Sequence, residues 1–203
     1  MMCDLFDIEW NDVGQVAEKL VHVFTNYPMH QWIFATERNT RQIEYHFNRA
    51  WIKYCIKYGI ALKTSNLEAI LLAKKPGDVG FNHLRNIRCG LLKIPFLVNK
   101  ETLKRLIWLN ERVSDERKRI MGNQKHWYLW IMATSPDKVR QGFGHSSLQY
   151  LIQLAQNQKL PIYLQTSSSS AINFYLAHGF EVRSNFLIDN QFSITTMVYQ
   201  GDL

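Results

Sequence analysis

A chain of 203 residues with 46% apolar content, eleven Phe, nine Tyr and six Trp can bury a continuous core, which excludes disorder as a global description. No apolar run approaches the ~18 residues of a membrane span, and the opening MMCDLFDIEW is acidic where a signal peptide is basic, so cytoplasmic residence is expected. Lysine plus arginine exceeds acid by 24 − 17 = 7, which suits an anionic ligand. The basic residues fall in small clusters (Lys74-Lys75, Lys100 to Arg105, Arg117 to Arg119) without an arginine-rich tail, which argues against nucleic acid as the partner. Cys3, Cys55 and Cys89 are odd in number and lack metal-type spacing, so neither a disulfide framework nor structural zinc is expected.

From Asp12 the residues Val13, Val16, Ala17, Leu20 and Phe24 recur at helical spacing, and Asn26 and Pro28 close that helix. A second helix is predicted from about Thr40 to Tyr58, with Ile43, Phe47, Trp51, Tyr54 and Tyr58 on one stripe and Gly59 as a left-handed cap. Ile60 to Lys63 and Ala69 to Ala73 read as short strands, followed by the turn Lys75-Pro76-Gly77-Asp78. Leu84 to Val98 is apolar without a clean period. Thr102 to Met121 returns to helix, with Leu103, Leu106, Ile107 and Val113 inward and its Arg/Lys/Glu-rich end outward. Gly122 to Lys125 is a seam between a helical and a strand-rich half. No linker is long enough to split the chain, so one domain over 1–203 is expected.

Beyond the seam, Trp127 to Ala133 is a strand, broken by Ser135-Pro136-Asp137. A helix from about Gly144 to Asn157 buries Leu148, Leu151, Ile152 and Ala155. Pro161 to Gln165 is a strand, and Ser170 to His178 a helix stopped by Gly179, with Ser167 to Ser170 as an N-cap cluster. Phe180 to Ile188 and Phe192 to Tyr199 form a hairpin around Asp189-Asn190.

The turn Val139-Arg140-Gln141-Gly142-Phe143-Gly144-His145 lies between a strand and a helix. Successive N–H groups entering a helix N-terminus can hold phosphate oxygens, and glycines let a ligand approach without a Cβ. Arg140 can add charge-assisted bonds, and His145 lies in the first helical turn. GxG alone does not separate a phosphate socket from a plain turn. No GxxxxGK[ST] string exists and the third glycine of the dinucleotide fingerprint is missing, so neither of those motifs applies.

The run His126 to Val182, 57 residues, resembles the acetyl-CoA-binding half of the GNAT superfamily of N-acetyltransferases. Gly142 and Gly144 match the small positions of that family's Q/R-x-x-G-x-G/A turn, and Tyr175-Leu176-Ala177-His178-Gly179-Phe180 matches its Y-x-x-x-G-F segment. A looser likeness runs upstream through Phe24, Pro28, Trp32, Phe47 and Gly59. The resemblance implies an α/β (α+β) GNAT fold, a central mixed, mostly antiparallel twisted sheet flanked by helices. It implies that the backbone of Met132, Ala133 and Thr134 pairs with the pantetheine arm of acetyl-CoA. Val139, Arg140, Gln141, Gly142, Phe143, Gly144 and His145 would form the pyrophosphate turn, Asn173 a further cofactor contact, and Tyr175 the general acid for the departing thiolate. It implies direct attack by a small-molecule or protein amine, with no metal.

Two positions depart from the family pattern. Val139 stands where Gln or Arg is usual, and Ala171 where Asn is common. A non-catalytic acyl-CoA-binding module is therefore the alternative reading. A packed core aromatic is the alternative reading of Tyr175. Glu37, Glu44, Glu68 and Glu111 are possible bases. His126 can act as a base through water, or sit capped or at the surface.

Overall fold

The computed structural model describes residues 3–78 and 83–201. Among them seven strands form one sheet in the order β1-β2-β3-β4-β5-β7-β6. They are β1 (Phe6–Asp7), β2 (Gly59–Lys63), β3 (Ala69–Lys74), β4 (Trp127–Thr134), β5 (Ile162–Thr166), β6 (Glu181–Ile188) and β7 (Phe192–Tyr199). Every neighbouring pair is antiparallel except β4 and β5, which run parallel. That pair needs a crossover, and α7 (Phe143–Asn157) supplies it. The sheet crosses the seam at residues 122–125, because β3 pairs directly with β4.

Both faces are covered, so β3 is buried along its whole length and reads as a continuous apolar run ending in Lys74. On one face α7 and α8 (Ser169–Leu176) pack Leu148, Leu151, Ile152 and Tyr175 onto Leu71, Leu129, Leu164 and Met197. On the other, α1 (Val13–Phe24) and α3 (Thr40–Tyr58) pack Val16, Leu20 and Ile52 onto Ile70, Leu72 and Ala133. A long helix, α6 (Lys100–Met121), lies on this second face over β5 to β7, where Met121 meets Tyr163 and Val198. Its Leu109 joins Trp32 and Ile33 of α2 (Pro28–Ile33) and Ile188 of β6 in a further cluster.

Three local expectations are corrected and one open stretch is resolved. Pro28 does not merely close α1; it starts α2, where its missing N–H costs nothing. Gly59 is extended (φ −138°) rather than left-handed, being the first residue of β2. Glycine is required there because a Cβ would collide with the carbonyl oxygen of Ala73. The aperiodic stretch 84–98 folds as two short helices, α4 (His83–Cys89) and α5 (Ile94–Leu97), around a 3-10 turn. In α6 the inward stripe is Thr102, Leu109, Arg117 and Met121, while Ile107 is exposed, so one arginine of the basic end points into the protein.

Candidate active site

β4 and β5 part company inside the sheet. They pair only at Trp127↔Ile162, Tyr128↔Tyr163 and Leu129↔Leu164, whereas β4 runs on to Thr134 with β3 as its neighbour. The β3–β4 register jumps from Ala73↔Leu129 to Leu72↔Ile131, which makes Trp130 the extra residue of a β-bulge at the fork. A bulge sharpens twist and bends its strand. Met132, Ala133 and Thr134 therefore present an edge on the β5 side with no strand pairing, and an unpaired edge accepts an extended ligand as a further strand.

That edge leads into the glycine turn. Ser135 is fixed first, its N–H donating to Glu68 O (2.8 Å) and its hydroxyl to Leu67 O (3.2 Å). Arg140 (φ +65°) and Gly142 (φ +91°) then adopt left-handed conformations, and alternation of hand turns successive N–H groups toward one concavity. Gly142 is the N-cap of α7, so the concavity opens at a helix N-terminus. Gly144 has ordinary φ and serves by clearance: a Cβ there would lie 3.0 Å from Thr134 Oγ1 and 3.8 Å from Met132 Cε and Phe174 Cζ. Val139, Arg140 and Gln141 are exposed and Phe143 half-buried. Gln141 Nε2 donates to Asp137 O (3.1 Å), tying the turn to itself. His178 Nδ1 donates to Phe174 O (2.7 Å), so its Nε2 accepts from His145 Nδ1 (2.8 Å), which joins the start of α7 to the end of α8.

At the end of β5 the sequence reading missed Tyr27. Its hydroxyl accepts from Ser167 N–H (3.0 Å) and bonds Thr166 Oγ1 (3.1 Å), fixing it to the end of β5. Only its place just before Pro28 distinguishes Tyr27 in the sequence. Ser168 caps α8, accepting from Ala171 N–H (3.4 Å). Tyr175 is buried between Phe174 and Phe180 (centroids 5.5 and 5.3 Å) in the cluster that includes Leu129 and Leu164. Burial, with Tyr27 adding a little, pushes its hydroxyl well above the usual tyrosine range. It therefore keeps its proton at neutral pH, as a general acid must, and it is a core aromatic as well. Asn173 is exposed on α8.

The four candidate carboxylates are engaged elsewhere or exposed. Glu44 takes His30 Nδ1 (2.8 Å), Glu37 accepts from Asn99 N–H (2.8 Å), and Glu111 is exposed. Glu68 is held down to about 2 by hydrogen bonds, that with Thr64 foremost. His126 is buried, not at the surface, and its Nδ1 donates to Gln124 O (2.7 Å). Burial depresses its pKa, and it lies roughly 13 Å along the strand from the fork at ~3.3 Å per residue. A surface depression of about 500 Å³ is lined by Glu18, Arg38 and Tyr45 and includes no residue of the fork. Among the described residues no His, Cys, Asp or Glu group is arranged to hold a metal, and no helix is long and apolar enough to cross a membrane.

Residues 106–180 match the model of the Acetyltransferase (GNAT) family. No curated protein matches the chain significantly. Its fold is similar to that of a histone acetyltransferase HPA2 and related acetyltransferase from Corynebacterium glutamicum (18% identity, 100% of this chain and 98% of that one, TM-score 0.71). It is also similar to arylalkylamine N-acetyltransferase 2 from Aedes aegypti (11% identity, 96% and 97%, TM-score 0.63). A third similar structure is the NatC complex bound to Gag peptide and CoA (11% identity, 98% and 99%, TM-score 0.54).

Proposed function

We propose, on the premise that this is a GNAT-family chain, that it transfers the acetyl group of acetyl-CoA to an amine by direct attack. The observation that carries this reading is the fork: β4 leaves β5 after Leu129, and its free edge runs into a left-handed turn at the N-terminus of α7. Such an arrangement suits a ligand with an amide-bearing arm ending in a pyrophosphate. The clearance over Gly144 supports it, since a side chain there would intrude beside Met132 and Thr134.

In this reading the amine lone pair attacks the thioester carbonyl carbon and its proton leaves to water. The carbon–sulfur bond then breaks, and the hydroxyl of Tyr175 protonates the departing thiolate. No covalent enzyme intermediate forms, and the protein's part is to position reactants and manage protons. A second reading, an acyl-CoA-binding module without turnover, is favoured by Val139 and Ala171, which remove two polar side chains from the site. Calorimetric titration with acetyl-CoA, followed by free-thiol release with a panel of amines, separates them. Binding with thiol release supports transfer, binding without it supports the module, and no binding overturns both.

A further inference from the structure

Lys74, Tyr128 and Tyr163 stand in one row across β3, β4 and β5, because Lys74 pairs with Tyr128 and Tyr128 with Tyr163. Paired residues share a face, here the one covered by α3 and α6. The row lies about 7 Å along β4 from Trp130, which marks the fork. The Lys74 ammonium is 3.7 Å from the ring centroid of Trp130, with the Tyr54, Trp51 and Tyr128 rings 5.1 to 5.9 Å away. Arg117 reaches down from α6, and its charge is felt at Lys74, His126, Tyr128 and Tyr163.

This cluster is electrically incomplete. Lys74 is 8% and Arg117 7% exposed, and among the described residues neither has a carboxylate within ion-pair distance, the Lys74 ammonium meeting the Trp130 ring instead. Asp78, the carboxylate whose charge reaches Lys74, is already engaged by the Tyr54 hydroxyl (3.2 Å) and by Arg85. The Tyr163 hydroxyl and His126 Nε2, on residues 0% and 2% exposed, lack a well-formed hydrogen bond among the described residues, with the Thr196 hydroxyl close enough to Tyr163 to act on it as a weak hydrogen-bonding neighbour. Tyr128 donates to Gln165 (3.4 Å) and is a wall of the cluster. The Glu116 charge also reaches Tyr163, but its carboxylate is tied to Arg119 and Ser184. Two buried cations beside an unsatisfied hydroxyl are costly to fold unless an anion completes them.

We propose that Lys74, Arg117 and Tyr163 form a subsite for a carboxylate on the acceptor, so that the amine acetylated belongs to an amino acid and not to a simple alkylamine. The inference rests on the acetyltransferase reading for which amine is acetylated, but the carboxylate site itself can be tested without turnover. The distance from fork to row suits an acceptor whose amine and carboxylate are separated by several bonds. The aromatic walls take its methylenes, while the two cations and the hydroxyl take its oxygens.

The test uses acetylated products, which need no catalysis. Binding of 4-acetamidobutanoate and of N-butylacetamide is titrated by the fluorescence of the protein, since Trp51 and Trp130 line the cluster. The carboxylate is expected to bind at least tenfold more tightly. Arg117→Met and Lys74→Met, each verified as folded by circular dichroism, are each expected to erase most of that difference. Equal binding of the two compounds, no carboxylate binding, or a preference unchanged in both variants would overturn the subsite. Failure of acetyl-CoA to bind would instead strike the acetyltransferase reading, while the carboxylate titration still reads the subsite.

Discussion

A Cβ placed on Gly144 would lie 3.0 Å from the hydroxyl oxygen of Thr134, across the gap between the first turn of α7 and the free edge of β4. Gly144→Val is therefore expected to weaken acetyl-CoA binding at least tenfold, about 1.4 kcal/mol. The unliganded fold should lose only about 1–3 kcal/mol, the usual cost of overpacking. Since Gly144 has ordinary φ, backbone strain contributes nothing, unlike at Gly142 (φ +91°). Calorimetry on the variant, with a denaturation curve beside it, checks both parts. Parent-like affinity would put the phosphate socket elsewhere.

Acetyl-CoA itself should raise the midpoint of thermal unfolding. At a free concentration of about 100 times its dissociation constant the stabilisation is about 2.7 kcal/mol. For a chain of 203 residues this corresponds to roughly 5–10 °C. Acetyl-dephospho-CoA, which lacks only the 3′-phosphate, is a useful control, because it separates pyrophosphate from ribose-phosphate contacts. An unchanged midpoint at millimolar acetyl-CoA, in folded protein, contradicts the proposed function.

Much of this architecture was legible because it is local. The helix over residues 40–58 and the hairpin at Asp189-Asn190 follow from periodicity and turn chemistry, and both turn residues have positive φ. The glycine turn stood out because Gly142 and Gly144 interrupt an otherwise clear strand-to-helix passage. What could not be read is what tertiary pairing decides. Nothing in the sequence says that β4 stops pairing with β5 after Leu129 or that Trp130 is a bulge. Tyr27 meets Thr166 across 139 residues, and Arg117 turns inward although its neighbours Lys118 and Arg119 are exposed. A long basic side chain normally marks a solvated face, and only the packing of α6 on β5 reverses that for Arg117.

Lys74 should leave a signature in the pH dependence of stability. Burial, aided by the charge of Arg117, pushes its ammonium down to about 8 from an ordinary 10.5, with Cys55 and Asp78 opposing. The folded state thus binds fewer protons than the unfolded one between about pH 8 and 10.5, so stability rises with pH across that window. The cost is fully present below pH 8 and amounts to no more than ~3 kcal/mol. Lys74→Met removes it, and should be neutral or stabilising at pH 7, because an unpaired buried cation gives way to an apolar group. Its advantage over the parent should shrink as pH climbs from 8 to 9. Cys55, pushed up to about 12 by burial and held back by the Lys74 charge, loses stability above ~9, and loses more of it in the Met variant, so the Lys74 signature is read between pH 7 and 9. Urea unfolding of the two at pH 7, 8 and 9 makes the measurement, and parallel curves would mean that Lys74 titrates normally.

Tyr175 distinguishes chemistry from packing. Tyr175→Phe keeps the ring between Phe174 and Phe180 and removes only the hydroxyl. If that hydroxyl protonates the departing CoA thiolate, turnover should fall by about 10²–10⁴. Acetyl-CoA affinity should stay nearly constant, because the ring contacts persist. Stability should change by about 1 kcal/mol or less, the worth of an ordinary hydrogen bond. The hydroxyl is held protonated well above the usual tyrosine range, so the parent should show no loss of the acid form between pH 7 and 9. Any decline of kcat in that interval would belong to another group. An amine screen comes first, followed by kcat and KM for the parent and the Phe variant with the best acceptor. Equal kcat in both would leave Tyr175 as a core residue and make water the proton source.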